Sequence, residues 1–187
     1  MKFNNNKLYK SHGNGSINLK KFKKIGRNVI FEKNVLIFHS ENISIGDNVY
    51  IGHNSIIKGY YKNQLIIGDN TWIGQNCFLH SGGGLIIGKS VGIGPYVKIL
   101  TANHDLENKN QPIIDNKIEF NKVIIKEGCD IGIGSIILPG VKLGIGSVIG
   151  AGAIVTKSVK DYSIFAGNPA KKINIRNKIP LKTNRED

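Results

Sequence analysis

The side chains best suited to moving protons near neutral pH are five histidines: His12, His39, His53, His80 and His104. His104 differs from the others, because it ends a regular aliphatic segment, precedes a long polar stretch and is followed at once by Asp105. A histidine at such a boundary can act as a general base that takes a proton from an attacking hydroxyl group. His12 falls in an unpatterned basic segment, and for His39 and His53 we expect no acidic or metal-ligating partners. We therefore interpret these three as surface residues.

The two cysteines, Cys77 and Cys129, are the other residues with reactive side chains. Neither has a second cysteine at the spacing of a metal site or a redox motif. Both occupy the position of a small residue in a repeat that runs through most of the chain. We interpret them as core residues without a disulfide or a metal.

The elements that must hold these side chains repeat every six residues. An α-helix needs a period near 3.6 and a single strand a period of two, so a sustained period of six predicts short strands separated by turns. The aliphatic positions form six groups of three: Ile25, Phe31, Ile37; Ile45, Ile51, Ile57; Ile67, Ile73, Leu79; Ile87, Ile93, Ile99; Ile125, Ile131, Ile137; Leu143, Ile149, Val155. Three strands per turn predict an all-β, triangular coil with about six turns.

Insertions interrupt the repeat only between groups. Two, four, two and about twenty extra residues follow the first four groups, so all of them leave from one corner of the coil. Insertions along one edge of a repeat protein commonly mark its functional edge, although this corner could merely tolerate them best. We expect a basic arm or cap at 1–24, the coil at 25–160 with an extruded loop at 103–122, and a closing turn with a basic tail at 161–187.

The composition is strongly basic. The chain has 26 Lys and Arg against 13 Asp and Glu, a net charge of +13, and the segment before Ile25 contributes seven lysines and no acid. This charge favours an anionic partner: nucleic acid, an acidic membrane, a nucleotide-linked substrate or a phosphorylated cofactor. Solvated tails are the alternative. No apolar run is typical of a secretory signal or a membrane span, so we expect a cytoplasmic protein.

The segment from Gly83 to Ser90 matches the phosphate-binding loop pattern of nucleotide hydrolases, G-x-x-x-x-G-K-S. That loop requires a strand before it and a helix after it. Here Ile87 is an inward residue of the repeat, and VGIGPYV continues the repeat where a helix should begin. We interpret the match as a by-product of the repeat.

Three motifs carry a resemblance to a known family: TANHDLE at 101–107, ILPGVKLG to IGAGAIVTK within 137–157, and AGNPAK at 166–171. The chain resembles the hexapeptide-repeat acyltransferases, in particular the sugar O-acetyltransferases of the maltose, galactoside and capsular polysaccharide type. The resemblance implies a left-handed parallel β-helix, which general rules for parallel crossovers would not predict. It also implies acetyl-CoA as the cosubstrate, a sugar or glycoconjugate acceptor, a homotrimer, and no requirement for metal or nucleic acid.

The resemblance implies a role for several residues on the acceptor side. His104 matches the family's general base, and Asn76 matches an asparagine that contacts the acceptor or orients that histidine. Many relatives have an aspartate a few residues after this asparagine, which is missing here. We therefore expect His80 and Asp105 to contribute further contacts to the acceptor.

On the coenzyme side, Ile133 and Ala151 match positions whose backbone groups bind the pantetheine arm. Thr156 and Lys157 match positions near the nucleotide end, and Lys171 matches a basic residue that reaches the coenzyme phosphates. For the lysines, simple solvation is the alternative interpretation.

The register also bears on assembly. His104 ends a third side of the coil, whereas Asn76, Ile133 and Ala151 lie on second sides, so we expect a homotrimer with sites shared between neighbours. N-acetylation of an amino sugar, perhaps nucleotide-linked, remains open as an alternative. A catalytically silent scaffold and a metal enzyme like the β-helical carbonic anhydrases are further alternatives. The metal enzyme would need three histidines, and only His80 and His104 are suitably placed.

Overall fold

The computed structural model describes residue 11 and residues 13–176. Its regular elements are 22 short β-strands and three 3₁₀ turns, Leu19–Lys21, Ser40–Asn42 and Ile113–Asp115, with no α-helix in this part of the chain. No helix among these residues is long and apolar enough to cross a membrane. Residues 1–10, His12 and 177–187 lie outside the described residues, and so do the predictions for His12 and for parts of the two terminal segments.

Most strands form three parallel sheets, which are the three walls of a coil. Wall one contains β1 (Lys24–Ile25), β4 (Ile43–Ile45), β7 (Leu65–Ile67), β10 (Leu85–Ile87), β15 (Val123–Ile125) and β18 (Lys142–Leu143). Wall two contains β2 (Val29–Phe31), β5 (Val49–Ile51), β8 (Trp72–Ile73), β11 (Gly92–Ile93), β16 (Asp130–Ile131), β19 (Val148–Ile149) and β21 (Ser163–Ala166), with β22 (Lys171–Ile175) antiparallel at its end. Wall three contains β3 (Leu36–Phe38), β6 (Ile56–Lys58), β9 (Phe78–His80), β12 (Lys98–Ile99), β17 (Ile136–Ile137) and β20 (Ile154–Val155).

The six groups of aliphatic residues are the inward positions of six successive coils. Ile45, Ile67, Ile87 and Ile125, for example, pair in register along wall one and are at most 1% exposed. Each fully buried isoleucine stabilises the fold by roughly 1.5–3 kcal/mol, which explains why two-residue strands suffice. The predicted all-β triangular coil is thus confirmed.

Both cysteines lie in this core. Cys77 is 1% exposed and Cys129 is 2% exposed, and both are free thiols. The Sγ atom of Cys129 lies 3.0 Å from the Gly144 carbonyl oxygen of the next coil. Their interpretation as core residues is confirmed.

The coil turns at three corners, which we number after the wall that precedes them. At the second corner, one residue per coil has a left-handed backbone with φ between 56° and 70°: Asn34, Asn54, Asn76, Tyr96, Gly134 and Gly152. We call this series the second-corner ladder. From Asn54 onward, the amide N–H of each rung donates to a carbonyl of the preceding coil, as from Asn76 to His53 at 2.9 Å. Glycine and asparagine tolerate this conformation better than other residues, so the repeat favours them here.

The coil extends past residue 160. Val159 bridges to Leu143 on wall one, and β21 pairs with β19 on wall two, so an incomplete seventh coil follows the six full ones. Part of the segment expected to be a closing turn therefore continues the repeat. At the other end, the Gly15 carbonyl accepts from the Ile37 N–H, and Phe22 is buried against the first coil.

The long insertion leaves from the third corner as a hairpin. Its base is an antiparallel ribbon of β13 (Ala102–His104) and β14 (Ile118–Phe120), in which Ala102 pairs with Phe120 and His104 with Ile118. The sequence predicted an extruded loop at 103–122 and did not indicate this ribbon. The ribbon was missed because its strands are three residues long and do not follow the six-residue period.

Candidate active site

His104 lies on the hairpin ribbon and is half-buried. Its Nδ1 atom is 3.2 Å from the backbone carbonyl oxygen of Asn116. A carbonyl can only accept a hydrogen bond, so this contact requires the proton of the neutral imidazole to be on Nδ1. The Nε2 atom then carries the free lone pair, which is the form that a general base needs.

Asn116 holds the hairpin in the shape that aligns this contact. Its side chain is 6% exposed, and Nδ2 donates to the carbonyl oxygens of Asp105, at 2.8 Å, and Asn108, at 3.2 Å. Its Oδ1 accepts from the side chain of Gln111. Sequence reasoning missed Asn116, because nothing in the sequence distinguishes a buried asparagine from the other loop asparagines.

The Asp105 carboxylate also takes part in the turn, since its Oδ1 accepts from the Glu107 N–H at 2.8 Å. The carboxylate therefore has a local structural role, and its contact with an acceptor stays a prediction.

His80 lies at the same third corner, at the end of β9, one coil before the coil from which the hairpin leaves. Its Nδ1 is 3.3 Å from the Thr101 hydroxyl, and its ring packs edge-on to Tyr60 with centroids 5.8 Å apart. Burial, and secondarily the charge of Lys58, lowers the pKa of His80 below its ordinary value. His80 is therefore predominantly neutral at pH 7, which suits a hydrogen-bonding contact.

The surface histidines differ from expectation in one respect. His39 and His53 are exposed, as predicted, but each has an acidic partner: Nδ1 of His39 is 2.9 Å from Glu41, and Nε2 of His53 is 3.3 Å from Glu32. The expectation of no acidic neighbours was wrong. Glu32 and His53 lie in successive coils, so their contact could not be predicted from their separation in the sequence.

Ile133 and Ala151 lie side by side at the second corner, in successive coils. The Gly152 N–H donates to the Ile133 carbonyl at 2.8 Å, whereas the N–H groups of Ile133 and Ala151 have no hydrogen-bond partner within residues 13–176. Ile133 is 51% exposed, and Ala151 is also exposed. The corner thus presents a strip of unpaired backbone groups to solvent, which an amide-containing ligand could match.

Asn76 occupies a rung of the same ladder, with φ of 56°. The fold therefore supplies a reason for an asparagine at this position. Its side-chain amide nevertheless makes no hydrogen bond with any residue that the structure describes. The amide remains available to a ligand.

The predicted site residues fall on two edges of the coil. His80, His104, Asp105, Thr156 and Lys157 lie at the third corner. Asn76, Ile133 and Ala151 lie at the second corner, and Lys171 begins β22 beyond it, paired with Ala166. Wall three separates the two edges, so one chain does not bring His104 together with Ile133 and Ala151.

Wall three differs from the other walls on its outer face. Glycine follows the inward residue in most coils of walls one and two, because a side chain would strike the next coil: a Cβ on Gly132 would lie 2.5 Å from the Ala151 nitrogen. Wall three has side chains on both sides of its inward residues. Most of them are apolar and half-buried, namely Leu36, Phe38, Ile56, Phe78, Leu100, Ile136, Leu138 and Ile154, and the polar members of the face are Lys58, His80, Lys98 and Thr156.

The described residues form neither a metal site nor a phosphate-binding loop. No group of three or more His, Cys, Asp or Glu side chains within the described residues is placed to hold a metal ion. The segment 83–90 contains β10 and leads into β11, another strand of the coil. The phosphate-loop match is therefore part of the repeat, as expected.

Comparisons with known proteins agree with this architecture. The family described as "Hexapeptide repeat of succinyl-transferase" matches residues 42–59, 64–94 and 122–157. The dTDP-4-amino-4,6-dideoxy-D-glucose acyltransferase of Escherichia coli is 30% identical over 162 residues, covering 84% of both chains. The galactoside O-acetyltransferase of Lactococcus lactis is 36% identical over 94 residues, 48% of this chain and 44% of that enzyme.

Among solved structures, the N-acyltransferase AntD of Bacillus cereus, in complex with dTDP-4-amino-4,6-dideoxyglucose and coenzyme A, superposes with a TM-score of 0.76. It is 29% identical, and the match covers 84% of this chain and 86% of AntD. For several other curated relatives, the matched segment spans 42% to 62% of their length. The chain belongs to the hexapeptide-repeat acyltransferase family, and its coil is the left-handed parallel β-helix of that family.

Proposed function

We propose that this protein transfers an acetyl group from acetyl-CoA to a hydroxyl of a sugar or glycoconjugate, with His104 as the general base. The observation that carries the proposal is the contact between Nδ1 of His104 and the Asn116 carbonyl, which leaves Nε2 free to accept a proton. A thioester is already activated, so one well-placed base and good positioning supply much of the acceleration without a metal.

In this reaction, His104 takes the proton of the acceptor hydroxyl through Nε2 while the acceptor oxygen attacks the thioester carbonyl carbon. The tetrahedral intermediate then collapses as its carbon–sulfur bond breaks. The imidazolium of His104 returns the proton to the departing sulfur, so the products are the ester and the free thiol. The Asn116 carbonyl keeps its hydrogen bond to Nδ1 throughout and stabilises the imidazolium.

The second corner is the proposed coenzyme side. The unpaired N–H groups of Ile133 and Ala151 would bind the amide carbonyls of the pantetheine arm. Lys171, which is exposed beyond the second corner, would contact the phosphates, and Thr156 and Lys157 would contact the nucleotide end from a neighbouring chain. The coenzyme would then run along the second-corner ladder, with its thiol toward the earlier coils.

We propose that the active unit is a homotrimer. The apolar outer face of wall three lies between the two edges that carry the predicted site residues, and burying it would stabilise an assembly. In a closed three-fold ring, the second corner of one chain can meet the third corner of the next. Each site would then combine His104 of one chain with Ile133 and Ala151 of another.

N-acylation of a nucleotide-linked amino sugar is the second candidate. It is favoured by two matches that each cover 84% of the chain, an acyltransferase named for a dTDP-amino sugar and a structure in complex with such a sugar. His104 could equally take the proton from an amine. Either reaction uses a small cytoplasmic thioester, so we place the protein in the cytoplasm, with no nucleic acid partner.

Thiol release measured with acetyl-CoA against neutral sugars, amino sugars and nucleotide-linked amino sugars tests the proposal. We expect turnover with a hydroxyl acceptor, and His104→Ala should lower it by about 10²–10⁴-fold. The matched control is His53→Ala, which removes an exposed histidine and should leave turnover unchanged.

Turnover only with amino sugars would favour the second candidate. If none of the acceptors gave thiol release, acyl transfer would be refuted. A His104→Ala variant with turnover within a few-fold of wild type would exclude His104 as the base.

A further inference from the structure

Two tyrosines of the coil have a backbone conformation that tyrosine rarely adopts. Tyr96 has φ of 61° and Tyr162 has φ of 58°, and each is 52% exposed. A residue with a Cβ is strained in this region, and such strain persists where the side chain has a use. The other rungs of the second-corner ladder are asparagine or glycine, so Tyr96 departs from the pattern at a cost.

The Tyr96 side chain makes no specific polar or aromatic contact within the described chain. Its backbone N–H donates to the Gln75 carbonyl at 2.8 Å, a bond that any residue would make there. Within residues 13–176, its ring makes no aromatic contact and its hydroxyl makes no hydrogen bond. The strain is therefore not offset by an aromatic contact or a side-chain hydrogen bond within the described chain.

Above Tyr96, that is toward the later coils, the next two residues of the ladder are glycines and carry no side chains. A methyl group placed on Gly134 or on Gly152 would meet no atom within 4 Å. The Gly134 N–H donates to the carbonyl of Pro95, the residue before Tyr96, so the bare strip begins one coil above Tyr96. Because neighbouring strands lie about 4.8 Å apart, Tyr96 is roughly one such spacing below Gly134 and two below Gly152.

We propose that Tyr96 closes the lower end of this bare strip and limits the length of the acyl chain that the protein transfers. The inference rests on the proposed function, in which the pantetheine arm follows Ala151 and Ile133 toward the earlier coils. The thioester then reaches the coil of Tyr96, and the exposed ring occupies the space that a longer acyl chain would need.

Tyr96→Asn tests the proposal, because asparagine fits the ladder geometry and removes the ring. The measurement is kcat/KM with acetyl-, propionyl- and butyryl-CoA. We expect the butyryl-to-acetyl ratio to rise by about 10- to 200-fold, the range for small changes in an apolar pocket. Calorimetry should show the same direction of change in the relative affinities of the two thioesters, independently of turnover.

Two further variants sharpen the test. Tyr162→Asn is the matched control, since it removes an equally exposed tyrosine with the same backbone strain from the first corner. Both asparagine variants should melt at a higher temperature than wild type, but Tyr162→Asn should keep the wild-type acyl preference. Tyr96→Phe keeps the ring and should also keep that preference.

An unchanged butyryl-to-acetyl ratio in Tyr96→Asn, with wild-type acetyl transfer measurable, overturns this inference alone. The same holds if Tyr96→Phe shifts the ratio as far as Tyr96→Asn does, or if Tyr96→Asn loses the oligomeric state of the wild type in sedimentation. If the wild-type chain releases no thiol from any of the three thioesters with any acceptor, the proposed function itself fails.

Discussion

Two variants of Asn76 can separate the effect of this residue on stability from its effect on activity. Its backbone has φ of 56°, and its side-chain amide is unpaired within the described chain. Glycine at this position would keep the turn and remove the amide, whereas alanine would remove the amide and strain the turn. The two variants should therefore lose the same function and differ in stability.

The magnitudes follow from these two features. The left-handed region costs an ordinary residue roughly 1–2 kcal/mol, so Asn76→Ala should lower the free energy of unfolding by about that amount, while Asn76→Gly should change it by less than about 1 kcal/mol. A neutral hydrogen bond to substrate contributes about 0.5–1.5 kcal/mol, so both variants should lower kcat/KM roughly 2- to 13-fold.

Urea unfolding at one fixed protein concentration and steady-state acyl transfer measure the two effects. Asn54, one coil earlier on the same ladder, is the control: Asn54→Gly should leave kcat/KM unchanged. Full activity in Asn76→Gly would show that the amide has no role. Equal stability of Asn76→Ala and Asn76→Gly would refute the explanation from backbone strain.

Three further predictions concern other parts of the molecule. Burial lowers the pKa of His80 in the folded chain, so the unfolded chain binds more protons than the folded chain as the pH falls below about 6.5. The free energy of unfolding therefore falls in acid. In His80→Gln this fall should be smaller than in wild type between pH 7.5 and 5. Burial raises the pKa of both cysteine thiols, so Cys77 and Cys129 should resist a thiol-labelling reagent in the native protein and react fully in urea. Asn116→Ala should loosen the hairpin and lower kcat/KM about tenfold, while acetyl-CoA affinity by calorimetry should stay unchanged, because the coenzyme strip lies at another corner.

The walls of the coil could be predicted from the sequence because each inward position depends on one residue type at one spacing. All six groups of aliphatic residues pair in register as expected, from Ile45 with Ile67 to Ile137 with Val155. The seventh coil was harder to predict, because Val159 follows Val155 after only four residues and breaks the period. Handedness came from the resemblance, since a pattern of inward residues is the same for either hand.

The candidate site was less predictable, because its contacts join residues on different coils or across a loop. His104 could be selected from its position before the insertion, but its alignment depends on the Asn116 carbonyl, twelve residues later. Tyr96 is unusual only once its backbone is known to share a ladder with asparagines and glycines. The apolar face of wall three likewise becomes visible only when outward residues are separated from inward ones.

The shared site between neighbouring chains is the central claim, and complementation tests it most directly. Two inactive variants are needed: His104→Ala, which lacks the proposed base, and Ala151→Trp, which blocks the coenzyme strip. When they are refolded together in equal amounts, a site is intact only if one chain supplies His104 and the next supplies the open strip. Random assembly into trimers gives that combination in about one site of four, so about a quarter of the wild-type activity should return.

Mixing the two variants after each has assembled separately should return no activity. Trimers shown to contain both variants, yet inactive, would contradict the account, since His104 and the coenzyme strip would then have to act within one chain.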